Sequence, residues 1–313
     1  MSDPLLLDQV SDGSQLGAVR SAERLISNKV KILVGFPTSH EAMLAAKIAQ
    51  KNGVLSIFSG ASHSSLAEMG PSVFTTGESV GYSAEFTLSY IKRNYFGKRG
   101  ILITNPYAVF AKNQEDTITK LLQKRQFQEV KLTKVHLNRD SLLDQSVLQA
   151  LVSKNFDYII LTAYADESAR LLDQFDRHQV DLPIVVNSSW TTADLEFVRR
   201  LLTKRKSPVI TESIWLEGSP DSIAFERYYF KKYGKRPTSE VAYGYDLGLI
   251  TAEVLNRIKG DVTKESILKS FQKNLCFKNL TSGRLCFDRN GGHAKRKLSF
   301  VRFTRDGFKP VNN

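Results

Sequence analysis

The chain has 313 residues, a formal net charge of +12 and a sequence pI of about 9.5. Its content of 42% hydrophobic and 24% charged residues is typical of a globular protein with room for two lobes, and no apolar run is long enough to span a bilayer. The positive charge is scattered without the spacing of a nucleic-acid module, so we expect solvated basic faces, no nucleic-acid partner and no membrane insertion.

Apolar strands and amphipathic helices alternate along most of the chain, which is typical of an α/β protein with parallel sheets. Apolar stretches predict strands at 31–35, 54–58, 100–104, 129–135, 158–161 and 184–186. Helical spacing predicts helices at 17–27, 41–52, 82–95, 112–125, 141–153, 168–178 and 192–202. After residue 216 the pattern changes to helices at 223–233, 240–258 and 264–274, then hairpin-like segments at 283–288 and 297–302.

Two stretches of similar design lie within residues 31–66. Each is an apolar strand that ends in a loop of small polar residues, with Thr38-Ser39 after the first strand and Ser59-Gly60-Ala61-Ser62 after the second. Because open parallel sheets bind ligands at the carboxyl ends of their strands, these loops predict a site for a small polar ligand. Hydroxyl groups at a helix start also act as simple caps, and the residues alone leave both interpretations open.

The N-terminal segment and the two cysteines bear on the cellular compartment. Residues 1–20 carry Asp3, Asp8 and Asp12 and no early Lys or Arg, unlike a signal peptide, so a chain that starts here would stay in the cytoplasm. Cys276 and Cys286 either pair across a hairpin in an oxidising compartment or remain reduced in strands.

The sequence carries no pattern of a catalytic or cofactor site. Its five histidines form no metal-binding motif, and the neighbours Ser62 and His63 lack the nucleophile elbow of hydrolases. Glycine-rich nucleotide-binding patterns are absent as well. We therefore predict that the protein is not an enzyme, and we expect no catalytic residue, no metal site and no cofactor.

The order and spacing of several motifs resemble the type I periplasmic binding proteins, specifically the branched-chain amino-acid (Leu/Ile/Val) receptors of ABC importers. The resemblance covers nearly the whole chain. Its motifs are, in order, SAERLISNKVKILVGFPTS, NGVLSIFSGAS, VFTTGESVGYSAEF, KRGILITNPYAVFAKN, FDYIILTAYADESARLLDQ, VAYGYDLGLI and TSGRLCFDRNGG. The resemblance implies two α/β lobes, each a mostly parallel sheet flanked by helices, joined by three crossovers. Lobe 1 would comprise 1–98 and 213–282, and lobe 2 would comprise 99–212 and 283–313.

The same resemblance implies a ligand site to which both lobes contribute. Ser39 and Ser62 stand at the loop positions whose hydroxyl and N–H groups hold the ligand carboxylate in the family, and Gly60 offers a backbone group beside them. Tyr107 and Tyr164 stand where the family places aromatic residues of lobe 2 over the ligand. Packing at the edge of the cleft is the alternative interpretation of the two tyrosines.

The chain departs from the family pattern where the receptors often carry a carboxylate for the ligand ammonium. After the strand at 184–186 it has Asn187-Ser188-Ser189-Trp190. Trp190 offers a cation–π face there, and Asp166 and Glu167 offer nearby charges or else begin the following helix. We therefore expect an amino acid, an amide or a short carboxylate as the ligand, with peptide-like and aromatic compounds also open.

A second departure concerns the N-terminus. Family members begin with a strand and a helix before the segment that resembles Pro4–Ser14, so the first strand–helix unit of lobe 1 is expected to be missing. A start codon assigned too late, a degenerate gene or a partner that fills the gap would each explain this difference.

The sequence thus predicts a solute-binding receptor that closes two lobes over a small polar ligand for an ABC importer. Its expected partners are that ligand and an ABC permease, and the resemblance implies a periplasmic or cell-envelope location. The alternative is a ligand-sensing or protein-interaction module of the same fold without a role in transport.

Overall fold

The computed structural model describes residue 7 and residues 13–311. The helices of this part are α1 (Gln15–Ser27), α2 (Ser39–Lys51), α3 (Val80–Asn94), α4 (Val109–Leu122), α5 (Gln145–Val152), α6 (Ala169–Arg177), α7 (Leu195–Leu202), α8 (Ile223–Tyr233), α9 (Ser239–Asn256) and α10 (Lys264–Lys273). The strands are β1 (Ile32–Gly35), β2 (Leu55–Phe58), β3 (Val73–Thr75), β4 (Arg99–Thr104), β5 (Lys131–His136), β6 (Tyr158–Thr162), β7 (Ile184–Val186), β8 (Val209–Ser213), β9 (Cys276–Leu280), β10 (Gly283–Cys286), β11 (Gly292–His293), β12 (Ser299–Thr304) and β13 (Gly307–Pro310).

The α/β class is confirmed, and the predicted elements are present with ends that differ by a few residues. Helix α8 and strand β7 have the predicted bounds. Strands β3, β8, β9, β11 and β13 were not predicted, and β3 has only three residues, too few for a periodic pattern. The segment Pro4–Ser14, from which a missing first unit was expected, lies almost wholly outside the described residues.

The chain divides into two compact units and passes between them three times. Unit 1 runs up to Ser79 and returns for Glu240–Arg296. Unit 2 comprises Val80–Ser239 and continues from Lys297. These boundaries differ from the predicted lobes, because 80–98 and 213–239 fall in unit 2 and 283–296 falls in unit 1.

Long-range contacts explain the difference in boundaries. Ser83 on α3 donates its hydroxyl to the buried Glu212 on β8 at 2.6 Å, which attaches α3 to the sheet of unit 2. The Ser239 hydroxyl donates to the Thr191 carbonyl at 2.6 Å, which holds the start of α9 there too. In unit 1, β11 pairs in parallel with β3, so the chain up to Arg296 stays with the first sheet.

Unit 1 contains a sheet in the order β1-β2-β3-β11, with every neighbouring pair parallel. One face of it packs on α9, α10 and a separate hairpin through a cluster that includes Phe74, Phe271, Phe277 and Phe287. The hairpin consists of β9 and β10, and the disulfide Cys276–Cys286 joins its two strands. Of the two alternatives left open by the sequence, the cysteines are therefore paired and not reduced.

Unit 2 contains a sheet in the order β13-β12-β8-β7-β6-β4-β5. The five strands from β4 to β8 run parallel, whereas β12 pairs antiparallel with both β8 and β13. The inner strands β6, β7 and β8 are buried on both faces, as expected for strands covered by helices on each side, whereas the edge strand β5 is mostly exposed.

Helix ends follow the local sequence. Asp194 caps α7 by accepting a hydrogen bond from the Phe197 N–H at 2.9 Å, and Thr263 forms a capping box with Ser266 at the start of α10. Helix α8 stops at Gly234, which adopts a left-handed conformation with φ +68°. No helix in the described part of the chain combines the length and apolarity needed to cross a membrane.

Candidate functional site

The first hydroxyl loop of unit 1 lies between β1 and α2. Thr38 is the N-cap residue of α2 and donates its hydroxyl to the Glu41 carboxylate at 2.6 Å. Ser39 follows as the first helical residue and is only 3% exposed. Its Oγ accepts a hydrogen bond from the Ser62 N–H at 3.4 Å. The two loops that were singled out in the sequence are therefore in contact.

The second loop follows β2 and is folded back on itself. The Ser62 hydroxyl donates to the Gly60 carbonyl at 3.0 Å, and the Gly60 N–H donates to Thr76 Oγ1 at 3.3 Å. Gly60 has φ +83°, and a Cβ there would stand 3.5 Å from the ring of Tyr243. Glycine thus suits this position both through its backbone conformation and through the space it leaves. Hydrogen bonds thus link Ser39, Gly60 and Ser62 into one polar cluster with both serines buried, and we call the two segments that carry it the hydroxyl loops.

The segment after β3 supports the hydroxyl loops from behind. The Thr75 hydroxyl donates to the Ala61 carbonyl at 2.7 Å, and the Gly77 N–H donates to that hydroxyl at 3.1 Å. Gly77 passes so close that a Cβ on it would lie 2.6 Å from the Gly60 carbonyl oxygen. The shape of the second loop therefore depends on a glycine sixteen or so residues further along the chain.

A buried charge network extends from this support. The Arg296 guanidinium donates to the Thr76 carbonyl at 3.0 Å and to Ser282 Oγ at 2.5 Å. The Asp246 carboxylate accepts hydrogen bonds from the Thr281 N–H at 2.6 Å, from the Ser282 N–H at 3.2 Å and from the Ser282 hydroxyl. Asp246 is thus part of the buried interior of unit 1, where it is only 1% exposed.

Burial shifts the titration of both charged groups in this network. It lowers the pKa of the Arg296 guanidinium, against the opposing effect of nearby carboxylates that include Asp246. It raises the pKa of the Asp246 carboxyl, against the hydrogen bonds from Ser282 and Thr281. Arg296 Nε is buried and has no hydrogen-bond partner in the described part of the chain. The network is therefore charged, compact and costly to disturb.

Two further groups stand close to the hydroxyl loops. His293 on β11 lies with Nε2 at 3.1 Å from the His63 carbonyl, one residue beyond Ser62, and burial lowers the pKa of His293 to about 4. Burial also raises the pKa of the Glu240 carboxyl at the start of α9, and the Glu41 carboxylate adds to that shift. The surroundings of the loops thus disfavour the charged forms of both side chains, protonated His293 and ionised Glu240.

Unit 2 carries the two tyrosines that were predicted to contact a ligand. Tyr107 follows β4 and is 59% exposed, with the Arg139 guanidinium 5.6 Å from its ring centroid. Tyr164 follows β6, is half-buried and has its ring centroid 6.0 Å from that of Phe110. Its N–H donates to the Glu167 carboxylate at 3.0 Å, so Glu167 is engaged in the turn before α6.

Trp190 lies in the core of unit 2 with no exposed surface. Its indole N–H donates to the Ala163 carbonyl at 3.0 Å, and the Asn187 amide donates to the same oxygen at 3.2 Å. Both side chains therefore position the backbone just before Tyr164. The indole presents no free face for a ligand ammonium in this arrangement.

The described residues include no group of three or more His, Cys, Asp or Glu placed to hold a metal ion. The hydroxyl loops instead collect hydroxyl groups and backbone N–H groups where a parallel sheet ends. Such donors suit a carboxylate or another small polar head group.

The sequence matches the family model described as "Periplasmic binding protein" over residues 11–308. The chain belongs to this family. A comparison with curated proteins found no match.

Solved structures give the same fold for this periplasmic binding protein. The ABC transporter substrate-binding protein from Desulfitobacterium hafniense in complex with Leu is 16% identical, with a TM-score of 0.81 over 98% of this chain and 88% of that one. The branched-chain amino acid transporter substrate binding protein from Streptococcus pneumoniae in complex with isoleucine is 21% identical, with a TM-score of 0.80 and coverages of 97% and 86%. The solute binding protein from R. palustris in complex with benzoate is 18% identical, with a TM-score of 0.80 and coverages of 97% and 83%.

Reasoning from the sequence did not find the residues that support the hydroxyl loops of this periplasmic binding protein. The sequence does not distinguish Arg296 from the scattered surface cations, although it follows a glycine-rich turn and is only 8% exposed. Its partner Thr76 lies 220 positions away, and no short-range pattern indicates such a pairing.

Proposed function

We propose that this periplasmic binding protein is a solute receptor that closes its two units over a small carboxylate-bearing ligand and delivers it to an ABC permease. Ser39, Gly60 and Ser62 would hold the carboxylate, and Tyr107 and Tyr164 would cover the ligand. Trp190 would act from the core by positioning the backbone at Ala163. Contacts with both units would stabilise the closed state, which the permease would recognise.

The contact between Ser39 and Ser62 carries this proposal. Two loops that are 23 positions apart in the sequence meet at the end of the sheet of unit 1, where the Ser62 N–H donates to the Ser39 hydroxyl oxygen. Neither serine is an N-cap, since Thr38 precedes α2 and His63 precedes the short 3-10 helix Ser64–Glu68 that follows the second loop. Helix capping therefore does not account for these two hydroxyl groups.

The choice of a carboxylate rests on two observations. Leucine, isoleucine and benzoate, the ligands of three structural neighbours, share a carboxylate and no other charged group. In this chain Asn187 and Glu167, which stand near the expected ammonium position, are both hydrogen-bonded to unit 2. A ligand without an ammonium group, such as an aromatic or aliphatic acid, therefore ranks with an amino acid in our proposal.

Thermal unfolding against a panel of amino acids, amides, short carboxylates and aromatic acids tests the binding role. A ligand that binds only the folded protein raises Tm by an amount that grows with its concentration. We expect carboxylates to raise Tm and the matching primary amides to do so far less. A cooperative transition that no compound in the panel moves would speak against a solute receptor.

The double variant Ser62→Ala/Tyr164→Ala tests the site, with one change in each unit. We expect it to abolish the ligand-induced rise in Tm while the protein remains folded. Ser89→Ala/Tyr228→Ala is the matched control, because both residues are exposed and lie away from the loops. Affinity that survives in the first double variant would remove this site assignment. Uptake of the identified ligand by cells with and without the protein then tests transport.

A further inference from the structure

Helix α8 in unit 2 leaves most of its surface exposed. Among its eleven residues only Phe225 is buried, whereas Ile223, Tyr228, Phe230 and Tyr233 are 39%, 52%, 57% and 52% exposed. Four large apolar side chains on one short helix form a concentration of exposed apolar surface of the kind that marks an interaction site.

The same segment is strongly basic. Residues 223–236 contain five cations and one acidic residue, namely Arg227, Lys231, Lys232, Lys235, Arg236 and Glu226. Glu226 is engaged locally, since its carboxylate accepts hydrogen bonds from the Gly218 N–H at 2.7 Å and from the Ser222 hydroxyl. Arg236 pairs with Glu217 at 2.8 Å, and the other four cations leave an excess of positive charge that favours a negatively charged partner.

Two tyrosines flank a lysine at the edge of this surface. The Lys232 ammonium lies 5.9 Å from the ring centroid of Tyr228 and 5.2 Å from that of Tyr233. Tyr233 in turn packs on Tyr229 with ring centroids 4.5 Å apart. Hydrogen bonding to Tyr233 raises the pKa of Lys232, which keeps this cation charged. Aromatic rings and charge are thus fixed next to each other.

Apolar and basic side chains share one exposed side of α8. Ile223, Arg227 and Phe230 follow each other at spacings of four and three residues and so lie on one face of the helix. An acidic protein would neutralise the cations but would not require the apolar groups between them. A lipid interface takes both, because lysine stems and aromatic rings settle at the head-group level while the charges meet lipid phosphates.

We propose that the exposed face of α8, formed by Ile223, Arg227, Phe230 and Lys231 and flanked on one side by Tyr228 and Lys232, docks the protein on an anionic phospholipid surface. This peripheral contact involves no insertion of the chain across the bilayer. It is independent of the solute site, so binding to lipid does not require that the ligand proposal hold.

Co-sedimentation of the full chain with lipid vesicles tests this docking face. We expect binding to vesicles of phosphatidylglycerol mixed with phosphatidylcholine, a loss of binding as salt is added, and no binding to phosphatidylcholine alone. Lys231→Glu/Lys232→Glu should lower the partition coefficient at least about tenfold, since each cation near such a surface contributes severalfold. Tyr228→Ser/Phe230→Ser should lower it about tenfold without any change in charge.

Lys120→Glu/Lys124→Glu is the matched control, with the same change of net charge at two exposed positions elsewhere in unit 2. We expect it to keep most of the vesicle binding. An equal loss in both charge-reversal variants would overturn the docking face in favour of a diffuse effect of net charge. Binding to polyglutamate but not to anionic vesicles, with the same dependence on Lys231 and Lys232, would overturn lipid in favour of an acidic protein. Absence of vesicle binding at low salt would also refute the proposal.

Discussion

Arg296 connects parts of unit 1 that lie far apart in the sequence. Its guanidinium bonds to the carbonyl of Thr76 and to the hydroxyl of Ser282, and Ser282 bonds to Asp246. Thr76 also accepts the hydrogen bond of Gly60, so the cation fixes the backbone behind the hydroxyl loops. Removal of one member of a buried charge network leaves the others unsatisfied, which costs more than the network contributes.

We expect Arg296→Met to lower the free energy of unfolding by about 3 kcal/mol, because it leaves the Asp246 carboxylate buried without its cation. Urea unfolding at pH 7 measures the change. The double variant Arg296→Met/Asp246→Asn should lose less than the sum of the two single variants, since it removes both charges.

Arg284→Met is the control for this series, because Arg284 is an exposed arginine on β10 of the same unit. It should change the free energy of unfolding by no more than about 0.5 kcal/mol. Equal effects at Arg284 and Arg296 would contradict a specific role of the buried network.

His293 makes stability depend on pH in the acidic range. Its folded-state pKa of about 4 lies below the usual value of 6.5, so the unfolded chain binds the proton more tightly. The contribution is therefore fully present above pH 6.5 and is lost as the pH falls towards 4. In the unaltered protein we expect the free energy of unfolding to fall by on the order of 3 kcal/mol across this window because of His293. In His293→Gln this decrease should be absent. Urea unfolding at several pH values measures both.

His178→Asn is the matched control, since this histidine is exposed at the end of α6. Its pH profile of stability should follow that of the unaltered protein. If the stability of His293→Gln depends on pH in the same way as that of the unaltered protein, His293 is not the cause of the pH dependence.

The β9–β10 hairpin is a covalently closed element at one edge of unit 1. Its disulfide spans ten positions, so it restricts the unfolded chain of this segment. We expect reduction to lower the free energy of unfolding by about 3 kcal/mol, according to the chain-entropy model of a loop of this length. Thermal unfolding with and without a thiol reductant measures the effect.

Cys276→Ser/Cys286→Ser serves as the control, because its Tm should not respond to the reductant. An unaltered protein that is equally insensitive would contradict a stabilising disulfide. A disulfide in a protein of this kind also fits an oxidising compartment. The disulfide is therefore consistent with the periplasmic location of the family.

The elements of the sheets were predictable where the local pattern is long enough. Helix α8 and strand β7 were predicted with their bounds, whereas β3 and β11 were not predicted, since strands of three and two residues carry no periodicity. The hydroxyl loops were predictable because each follows an apolar strand directly. Their support by His293 and Arg296 was not predictable, since it depends on contacts between segments more than 200 positions apart.

The resemblance implied two lobes and three crossings, but the residues at which the chain passes between the units lay beyond the sequence pattern. Helix α3 reads as a continuation of the first unit, but its hydrogen bond from Ser83 to Glu212 and the packing of Leu88 on the second sheet place it in the second. Likewise, residues 283–296 read as part of a terminal hairpin, but β11 joins the first sheet beside β3. Pairing partners that are distant in sequence decide such boundaries, and strand propensities do not.

Unit 2 depends on strands that follow the last crossing of the chain. β12 pairs with β8, and Phe300 stacks on Phe86 with ring centroids 4.4 Å apart. A fragment of residues 80–239 would therefore expose β8 as an unpaired edge. We expect this fragment to melt well below the full chain and to aggregate, and we expect a peptide of residues 297–311 to raise its Tm.

The same peptide with Phe300→Ser is the control, because it keeps the strand length but removes the stacked ring. It should raise the Tm of the fragment much less than the natural peptide does. A fragment 80–239 that is as stable alone as in the full chain would contradict the role of the last strands.

The threefold passage of the chain between the units has a consequence for the order of synthesis. A ribosome releases the chain from the N-terminus, yet β11 of unit 1 and β12 of unit 2 both come after residue 290. Neither sheet acquires its full set of strands until almost all of the polypeptide has been made. The nascent chain therefore stays incompletely folded through most of translation, and that is the state in which a polypeptide threads through an export channel.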